Sequence, residues 1–429
     1  MPVLSKTGLH IKATMDADLL GEGFGKVNRN RYNKHTNPKG IINLGTSENK
    51  LMSDVLFKKF SEPELNVWTE EMLVYCDFAS IYELRESVAE FLKAKSNAAT
   101  PLDPNKMVVM NGGGSVIETI AFAICNAGDA FLVPSPFYGG LMHDLDLRAK
   151  VNVHPVHLHS KMKENETKPF QLTVEKLEKS LEEAKAKGIN IRGLFLINPH
   201  NPLGEIYSTE LIKDCLQFCH KHSLHIIFDE IYLTSVFKEG VQPTSILQFK
   251  PEDIPDPERT HLIWGFSKDF AMSGMRVGIY YGFSDVVRQQ IVNQCCFTGI
   301  PGFIQVMLSK MLKDKDWLDN VYYATNRKRL RESYELVTRE LTSIGVPYLE
   351  ASSSLYLYAD FRKFLKEPTF AVEKDLWHKF LDAGTYISPS QAFYSDDPGW
   401  FRIVFADKIA KLELAMERIK KVCKEISLQ

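Results

Sequence analysis

Lys268 lies where a lysine can do covalent chemistry. It follows the apolar run THLIWGF (260–266), so the end of a predicted buried strand positions its amine. An amine held there can form a Schiff base with an aldehyde cofactor. A solvated surface lysine is the ordinary alternative, because lysine is usually exposed. Other motifs in the sequence distinguish a covalent role of Lys268 from a surface position.

Asp229 and Tyr232 follow a second apolar run, LHIIFD (224–229). A buried carboxylate is costly unless it is paired, and a pyridinium nitrogen would pair with it and draw electrons from a substrate α-carbon. A helix N-cap is the plainer role for Asp229. Tyr232 could hydrogen-bond a phenolic oxygen of the same ring. Asn201, between two prolines in NPHNPLG (198–204), could donate to that oxygen, although turn chemistry alone would explain this segment.

Asn111–Ser115 is a glycine-rich turn between the apolar run MVVM (107–110) and a helical pattern. Such turns let backbone N–H groups approach an anion, and the helix dipole favours a phosphate there. Arg276, eight residues after Lys268, could add a charge-assisted bond. A dinucleotide site is the alternative, but its GxGxxG pattern is not present.

Two further residues could bind a planar ring and an anion. Tyr138 in PSPFYGG (134–140) could stack on a heteroaromatic ring or simply pack in a core. Arg402 in GWFRIVF (399–405) lies in an apolar run and needs an anionic partner, which a substrate carboxylate or a structural salt bridge would provide.

The elements that must position these residues alternate between strands and helices. Strands are predicted at 107–110, 130–134, 193–199, 224–230, 260–266 and 277–283, and helices at 174–188 and 209–223. This alternation predicts a mainly parallel sheet covered on both faces, with ligands at the carboxyl ends of its strands.

The C-terminal third has a different pattern. A long helix is predicted over 305–343, strands over 348–361 and a final helix over 407–427. The fold class is therefore α/β: a three-layer αβα large domain at 50–305, plus a smaller α+β domain formed by 1–49 and 306–429.

Composition narrows the choice of partners and compartment. The 429 residues are 44% apolar and 25% charged, with a net charge of −2, so no basic field attracts nucleic acid or lipid. No run has the roughly 18–20 apolar residues of a membrane span. The first 20 residues lack a secretory signal pattern, although an amphipathic transit peptide stays open. Seven scattered cysteines favour a cytoplasmic protein. Cys215 and Cys219 could begin a metal site with His220 or His222, but buried helix positions are favoured and no metal is predicted.

The order of these motifs resembles the fold-type I, class I/II aminotransferase superfamily that uses pyridoxal 5′-phosphate (PLP), and within it the 1-aminocyclopropane-1-carboxylate (ACC) synthase-like group. The matching segments run from LGTSENKL (44–51) to GWFRIVFA (399–406) and cover nearly the whole chain. The resemblance implies a homodimer with active sites at the subunit interface. It assigns the cofactor to Lys268, Asp229, Asn201, Tyr232, Tyr138, Gly113, Gly114, Ser115, Ser267 and Arg276, with Lys268, Asp229 and Tyr232 catalytic, and the substrate to Glu48, Phe78 and Arg402.

Two departures from the family pattern weaken the case for ACC synthesis. Phe78 stands where the family has a tyrosine whose hydroxyl reaches the neighbouring subunit's cofactor, and Tyr82 lies a helical turn away. Gly265 stands where a phosphate-binding serine is usual, and a lost hydrogen bond to a charged group costs about 1.5–3 kcal/mol.

Three functions are therefore expected in order. The first is a PLP-dependent aminotransferase acting on a small α-amino acid. The second is a lyase, by β- or γ-elimination or by ring closure of S-adenosylmethionine to ACC, which Glu48 favours and Phe78 opposes; decarboxylation and oxidation stay open. The third is a pseudoenzyme that acts through a protein partner.

Overall fold

The computed structural model describes residues 3–428. Its strands are β1 Ile42–Asn43, β2 Met107–Met110, β3 Ala130–Ser135, β4 Asn152–His157, β5 Ile191–Ile197, β6 His225–Asp229, β7 Thr260–Gly265, β8 Gly278–Gly282, β9 Tyr356–Asp360, β10 Thr385–Tyr386, β11 Ser388–Pro389 and β12 Trp400–Val404. Its helices are α1 Lys6–Asp16, α2 Leu19–Arg29, α3 Ser53–Phe60, α4 Tyr82–Ser96, α5 Gly113–Ile124, α6 Leu141–Asp146, α7 Val174–Ala186, α8 Thr209–Lys221, α9 Phe266–Asp269, α10 Asp285–Gln294, α11 Gly302–Lys313, α12 Ala324–Ser343, α13 Phe370–Asp382 and α14 Ile409–Ser427.

The central sheet has seven strands in the order β2-β8-β7-β6-β5-β3-β4. Neighbouring strands are parallel except at β8, which is antiparallel to both β2 and β7. Because β3, β5, β6 and β7 run in one direction, their carboxyl ends meet at one edge of the sheet. The prediction of a mainly parallel sheet is confirmed.

Alternating strand residues pack into two separate cores, one on each face of the sheet. In β6, Ile226 and Phe228 join the core that includes residues of α7 and α8, whereas Ile227 joins the core that includes residues of α5 and α10. Successive side chains of a strand point to opposite faces. The three-layer αβα arrangement therefore follows from the apolar runs, and the fold class is confirmed.

The sequence patterns did not predict the strand β4. Its exposed and buried residues alternate, and Pro155 interrupts the apolar pattern. It pairs only with β3 and forms the edge of the sheet, where a proline is tolerated.

The predicted helix over 305–343 is broken. After α11, the side chain of Asp314 accepts a hydrogen bond from the Trp317 backbone at 3.1 Å, and a π-helix over Trp317–Tyr323 leads into α12. A side-chain bond to the backbone competes with helix continuation. Of the strands predicted over 348–361, only β9 forms.

Outside the large sheet, residues 42–43 pair with the C-terminal part of the chain. Strand β1 pairs in parallel with β10, and β9, β12 and β11 form an antiparallel sheet. The predicted domain boundaries stay a prediction. No helix within residues 3–428 combines the length and apolar character needed to cross a membrane. Cys215 and Cys219 are buried in α8, while His222 lies 2.9 Å from Glu178.

Candidate active site

A cavity of about 430 Å³ opens at the carboxyl ends of the central strands. Most of the residues singled out in the sequence line it: Gly113, Gly114, Tyr138, Asn201, Asp229, Tyr232, Ser267, Lys268, Arg276 and Arg402. Residues that follow the strands of the large sheet and residues of the C-terminal strands thus line one cavity. Its position at the carboxyl ends of the strands is the usual ligand site of an open α/β sheet.

Lys268 lies in the short helix α9, immediately after β7. Its Nζ donates a hydrogen bond to the Ser47 carbonyl oxygen at 2.5 Å. Burial lowers the pKa of Lys268 to about 8, and the nearby charge of Arg402 acts in the same direction. A substantial fraction of the amine is therefore neutral near physiological pH, which is the form that attacks an aldehyde or accepts a proton.

Asp229 ends β6 and is buried. Its carboxylate accepts a 3.2 Å hydrogen bond from the Ile231 backbone within a turn, and no helix begins here, so the helix N-cap predicted as an alternative does not form. Within residues 3–428 it has no ion-pair partner, and burial raises its pKa to about 7. A buried acid with one backbone donor has room for a cationic partner.

Asn201 and Tyr232 are both buried beside Arg402 and the N-terminal segment. The Tyr232 hydroxyl lies 2.8 Å from Ser47 Oγ. The Asn201 side-chain oxygen accepts a 2.9 Å hydrogen bond from Arg402, which leaves its amide N–H groups able to donate to a ligand.

Arg402 is a buried cation without an acidic partner in the described part of the chain. It is 4% exposed, and its NH2 group donates to the Gly45 carbonyl at 2.5 Å while its Nε has no hydrogen-bond partner. Its guanidinium lies 4.9 Å from the Tyr356 ring centre and 4.7 Å from that of Phe393. The salt-bridge alternative is therefore not realised, and a ligand carboxylate would satisfy the remaining donor.

The glycine turn, Gly112–Gly114, precedes and opens α5. Gly112 has φ +107°, and a Cβ there would collide with the Arg276 guanidinium. Only glycine allows this close approach. The approach places the Arg276 guanidinium beside the N–H groups at the N-terminus of α5. Ser115 is the third residue of α5 but does not line the cavity.

Glu48, Phe78 and Tyr82 do not line the cavity. Glu48 is nevertheless close enough for its charge to oppose the lowering of the Lys268 pKa. Phe78 is 50% exposed, and Tyr82 is also exposed at the start of α4. Neither ring reaches the cavity of its own chain.

Gly265 is held in place by the neighbouring strand. A Cβ at this position would lie 2.6 Å from the Val277 carbonyl oxygen and 3.2 Å from the Gly278 Cα. A serine here would require β7 and β8 to separate, so this chain cannot recover the usual hydroxyl by a simple exchange.

Several residues that line the cavity were not predicted from the sequence. Ser47 could have been predicted, because it lies in LGTSENKL, the segment from which only Glu48 was chosen. Helix α2 could have been predicted from Asp18, which precedes an amphipathic run. The Asp18 carboxylate accepts hydrogen bonds from the Leu20 and Gly21 backbone and caps the helix. Phe24 of this helix lines the cavity. His143, Asp144 and Tyr386 carried no local signal and enter through tertiary packing.

The α/β fold thus places a buried lysine, an aspartate without an ion-pair partner and a glycine turn at a helix N-terminus around one cavity. The profile described as "Aminotransferase class I and II" matches residues 39–419. The chain therefore belongs to the class I and II aminotransferase family, whose enzymes depend on PLP.

Relatives in this family carry different names. Human "1-aminocyclopropane-1-carboxylate synthase-like protein 1" is 40% identical, over 98% of this chain and 83% of that protein. Human "probable inactive 1-aminocyclopropane-1-carboxylate synthase-like protein 2" is 42% identical, over 94% and 71% respectively. The crystal structure of an aromatic aminotransferase from Pyrococcus horikoshii OT3 superposes with a TM-score of 0.76 at 26% identity, covering 91% of this chain and 97% of that one.

The residues present fit PLP. Asp229 offers an unpaired buried carboxylate to a ring nitrogen, the amide of Asn201 can donate to a ring oxygen, and Lys268 offers an amine to an aldehyde. The glycine turn and Arg276 form a cradle that any side chain at Gly112 would fill. None of these residues has a side chain or a charge that would exclude the cofactor.

Proposed function

We propose that the chain binds PLP at Lys268 and acts as an aminotransferase on a small α-amino acid. When bound, this cofactor supplies an electron sink that weakens the bonds to a substrate α-carbon. The observation that carries the proposal is the unpaired Asp229 carboxylate, buried in the same cavity as a lysine whose pKa is lowered to about 8.

Arg402 would bind the α-carboxylate of the amino acid. Its two fixed hydrogen bonds, to Asn201 and to the Gly45 carbonyl, hold the guanidinium fork in one orientation. An arginine that is already oriented loses little freedom on binding a carboxylate. This anchoring would present the α-carbon to Lys268, whose Nζ can remove or return the α-proton.

A homodimer is also part of the proposal. Large apolar side chains are exposed around the segment that contains Phe78: Leu73 is 75% exposed, Tyr75 96% and Phe297 79%. The Phe297 segment adjoins the glycine turn, because the Asn111 backbone donates to the Thr298 carbonyl at 2.7 Å. A second copy of the chain would cover this patch and bring Phe78 towards the other site.

A lyase is the second candidate, because the charge of Glu48 acts on Lys268. An acid at that place could serve in an elimination or in ring closure of S-adenosylmethionine. A pseudoenzyme that acts through a protein partner is the third candidate. The human relative named probable inactive, together with Phe78 and Gly265, supports it. A cytoplasmic location is proposed on seven cysteines that are all free.

The test begins with the apoprotein and added PLP. Wild type should gain a visible absorbance band that resists gel filtration, and Lys268→Ala should lose it. Lys106→Ala removes a lysine outside the cavity and should behave as wild type. Failure of wild type to acquire the band would contradict the proposal.

An amino-acid screen on the loaded protein then separates the activities. Transamination yields a keto acid and passes the amino group to an added keto acid, whereas elimination yields a keto acid and free ammonia. A band that no amino acid perturbs, with no product formed, would favour the pseudoenzyme.

A further inference from the structure

Asp144 in α6 brings a second acid to the phosphate end of the cavity. It lines the cavity, and its Oδ1 would lie 2.7 Å from a Cβ placed on Gly114. Glycine at position 114 therefore permits the carboxyl to pack directly against the first turn of α5, beside the backbone that would hold a phosphate.

The Asp144 carboxyl has no partner of its own. Within residues 3–428 it forms no ion pair and accepts no side-chain or backbone hydrogen bond that lowers its pKa. Burial raises the pKa of Asp144 to about 7, and the negative charges of Asp229 and Glu118 act in the same direction. Arg276 is the cation that opposes them.

Other titratable groups lie on the elements around Asp144. Glu118 of α5 pairs with Arg148 at 3.2 Å. On its own helix, Asp146 lies 2.6 Å from His10 of α1, and His143 lines the cavity. The charge of Asp144 is also the main cause that raises the pKa of Tyr138, the tyrosine predicted to stack on the cofactor ring.

An ionised carboxylate here would repel a phosphate, whereas a neutral one could donate to it. We propose that Asp144 is a further cofactor-binding residue, which stays protonated when PLP is bound and donates a hydrogen bond to the phosphate at the glycine turn. This inference rests on the proposed function, because it assumes that the glycine turn binds that phosphate. Loading the cofactor above neutral pH then takes up one proton at this carboxyl.

The test measures the dissociation constant of PLP for the apoprotein from pH 6 to pH 8, by absorbance or by quenching of intrinsic fluorescence. Asp144→Asn keeps a donor and removes the charge. At pH 8 the free carboxyl, with a pKa of about 7, is ionised by about ten to one. Asp144→Asn should therefore bind PLP about tenfold more tightly than wild type at pH 8, and equally well at pH 6.

Two further measurements separate charge from hydrogen bonding. Asp144→Ala removes the donor and should bind at least tenfold more weakly than wild type at pH 6, which is the loss expected for a hydrogen bond to a charged group. Calorimetry in two buffers of different ionisation enthalpy should show that wild type takes up about one more proton than Asp144→Asn on binding at pH 8.

The controls test the place and the ligand. Asp146→Asn alters the same helix and should leave the pH dependence unchanged, and pyridoxal, which lacks the phosphate, should show no tenfold difference between wild type and Asp144→Asn. Equal PLP affinities of these two proteins at pH 8 would overturn the role of Asp144. Absence of PLP binding by wild type at every pH would instead overturn the proposed function.

Discussion

Replacing Asp229 by asparagine should stabilise the apoprotein while it disables the cofactor site. Burial raises the Asp229 pKa from 3.8 to about 7, a shift of roughly three units, and each unit corresponds to about 1.4 kcal/mol. Above pH 7 the ionised carboxylate therefore costs about 4 kcal/mol of folding free energy. Asparagine keeps an acceptor for the Ile231 N–H and removes the charge, so Asp229→Asn should recover much of this amount.

The pH dependence has a definite sign. Between pH 4 and pH 7 the folded apoprotein holds the Asp229 proton that the unfolded chain has released, so the free energy of unfolding falls as the pH rises through this window. Urea unfolding of phosphate-free apoprotein at pH 4.5, 6 and 8 measures this. The advantage of Asp229→Asn should be smallest at pH 4.5 and largest at pH 8.

Asp269 provides a matched control, because it is also buried. Its pKa is raised by burial to about 6, but its carboxylate accepts hydrogen bonds from the Thr234 backbone at 2.9 Å, Ser235 Oγ at 2.7 Å and Trp264 Nε1 at 2.9 Å. Asp269→Asn removes a charge whose raised pKa corresponds to about 3 kcal/mol, but it also turns an amide N–H group towards donors arranged for a carboxylate, so its gain at pH 8 should be clearly smaller than that of Asp229→Asn. If Asp269→Asn gains as much stability as Asp229→Asn, the difference in hydrogen bonding does not control the effect and the prediction for Asp229 fails.

Three other substitutions test single contacts. Arg402→Lys cannot keep both the bond to Asn201 and the bond to Gly45, so KM for the amino acid should rise at least tenfold with a smaller change in kcat; an unchanged KM would remove Arg402 from substrate binding. Gly265→Ser should lose about 1–3 kcal/mol in urea unfolding without tighter PLP binding, and a stable, tighter-binding variant would contradict the packing at this position. Tyr232→Phe should lose about 1 kcal/mol of stability and shift the visible band of the loaded protein, and an unshifted band would place its hydroxyl away from the ring.

The sequence predicted those parts of the molecule that depend on local pattern. Apolar runs located six of the seven central strands, and the polar residues that follow them had to meet at the strand ends. Strand β4 escaped because Pro155 and partial exposure hide an edge strand. The break in the helix at Asp314 was not predicted, because one hydrogen bond from the backbone to a side chain interrupts an otherwise continuous helical pattern.

In the site, too, residues marked by a local pattern could be predicted and contacts between distant residues could not. Lys268 and Asp229 could be found because each ends an apolar run. The partnership between Asn201 and Arg402 could not, because it joins residues 201 positions apart and depends on how two sheets pack. Asp144 was missed for the same reason: its neighbour Gly114 is distant in sequence, and the contact exists only after α5 and α6 have packed.

The pairing of β1 with β10 has a consequence for biosynthesis. The Gly45 carbonyl that orients Arg402 lies 357 residues before it, so the segment that carries Gly45 cannot take its place until Arg402 has left the ribosome. Domains generally fold during synthesis as they emerge, so the large sheet, complete by β8, can fold first. The last event in forming this cavity is then the docking of the segment that carries Gly45 against β11 and β12, which are made after the large sheet. A ribosome-stalled chain that ends before β12 should hold a folded sheet with an unfinished cavity.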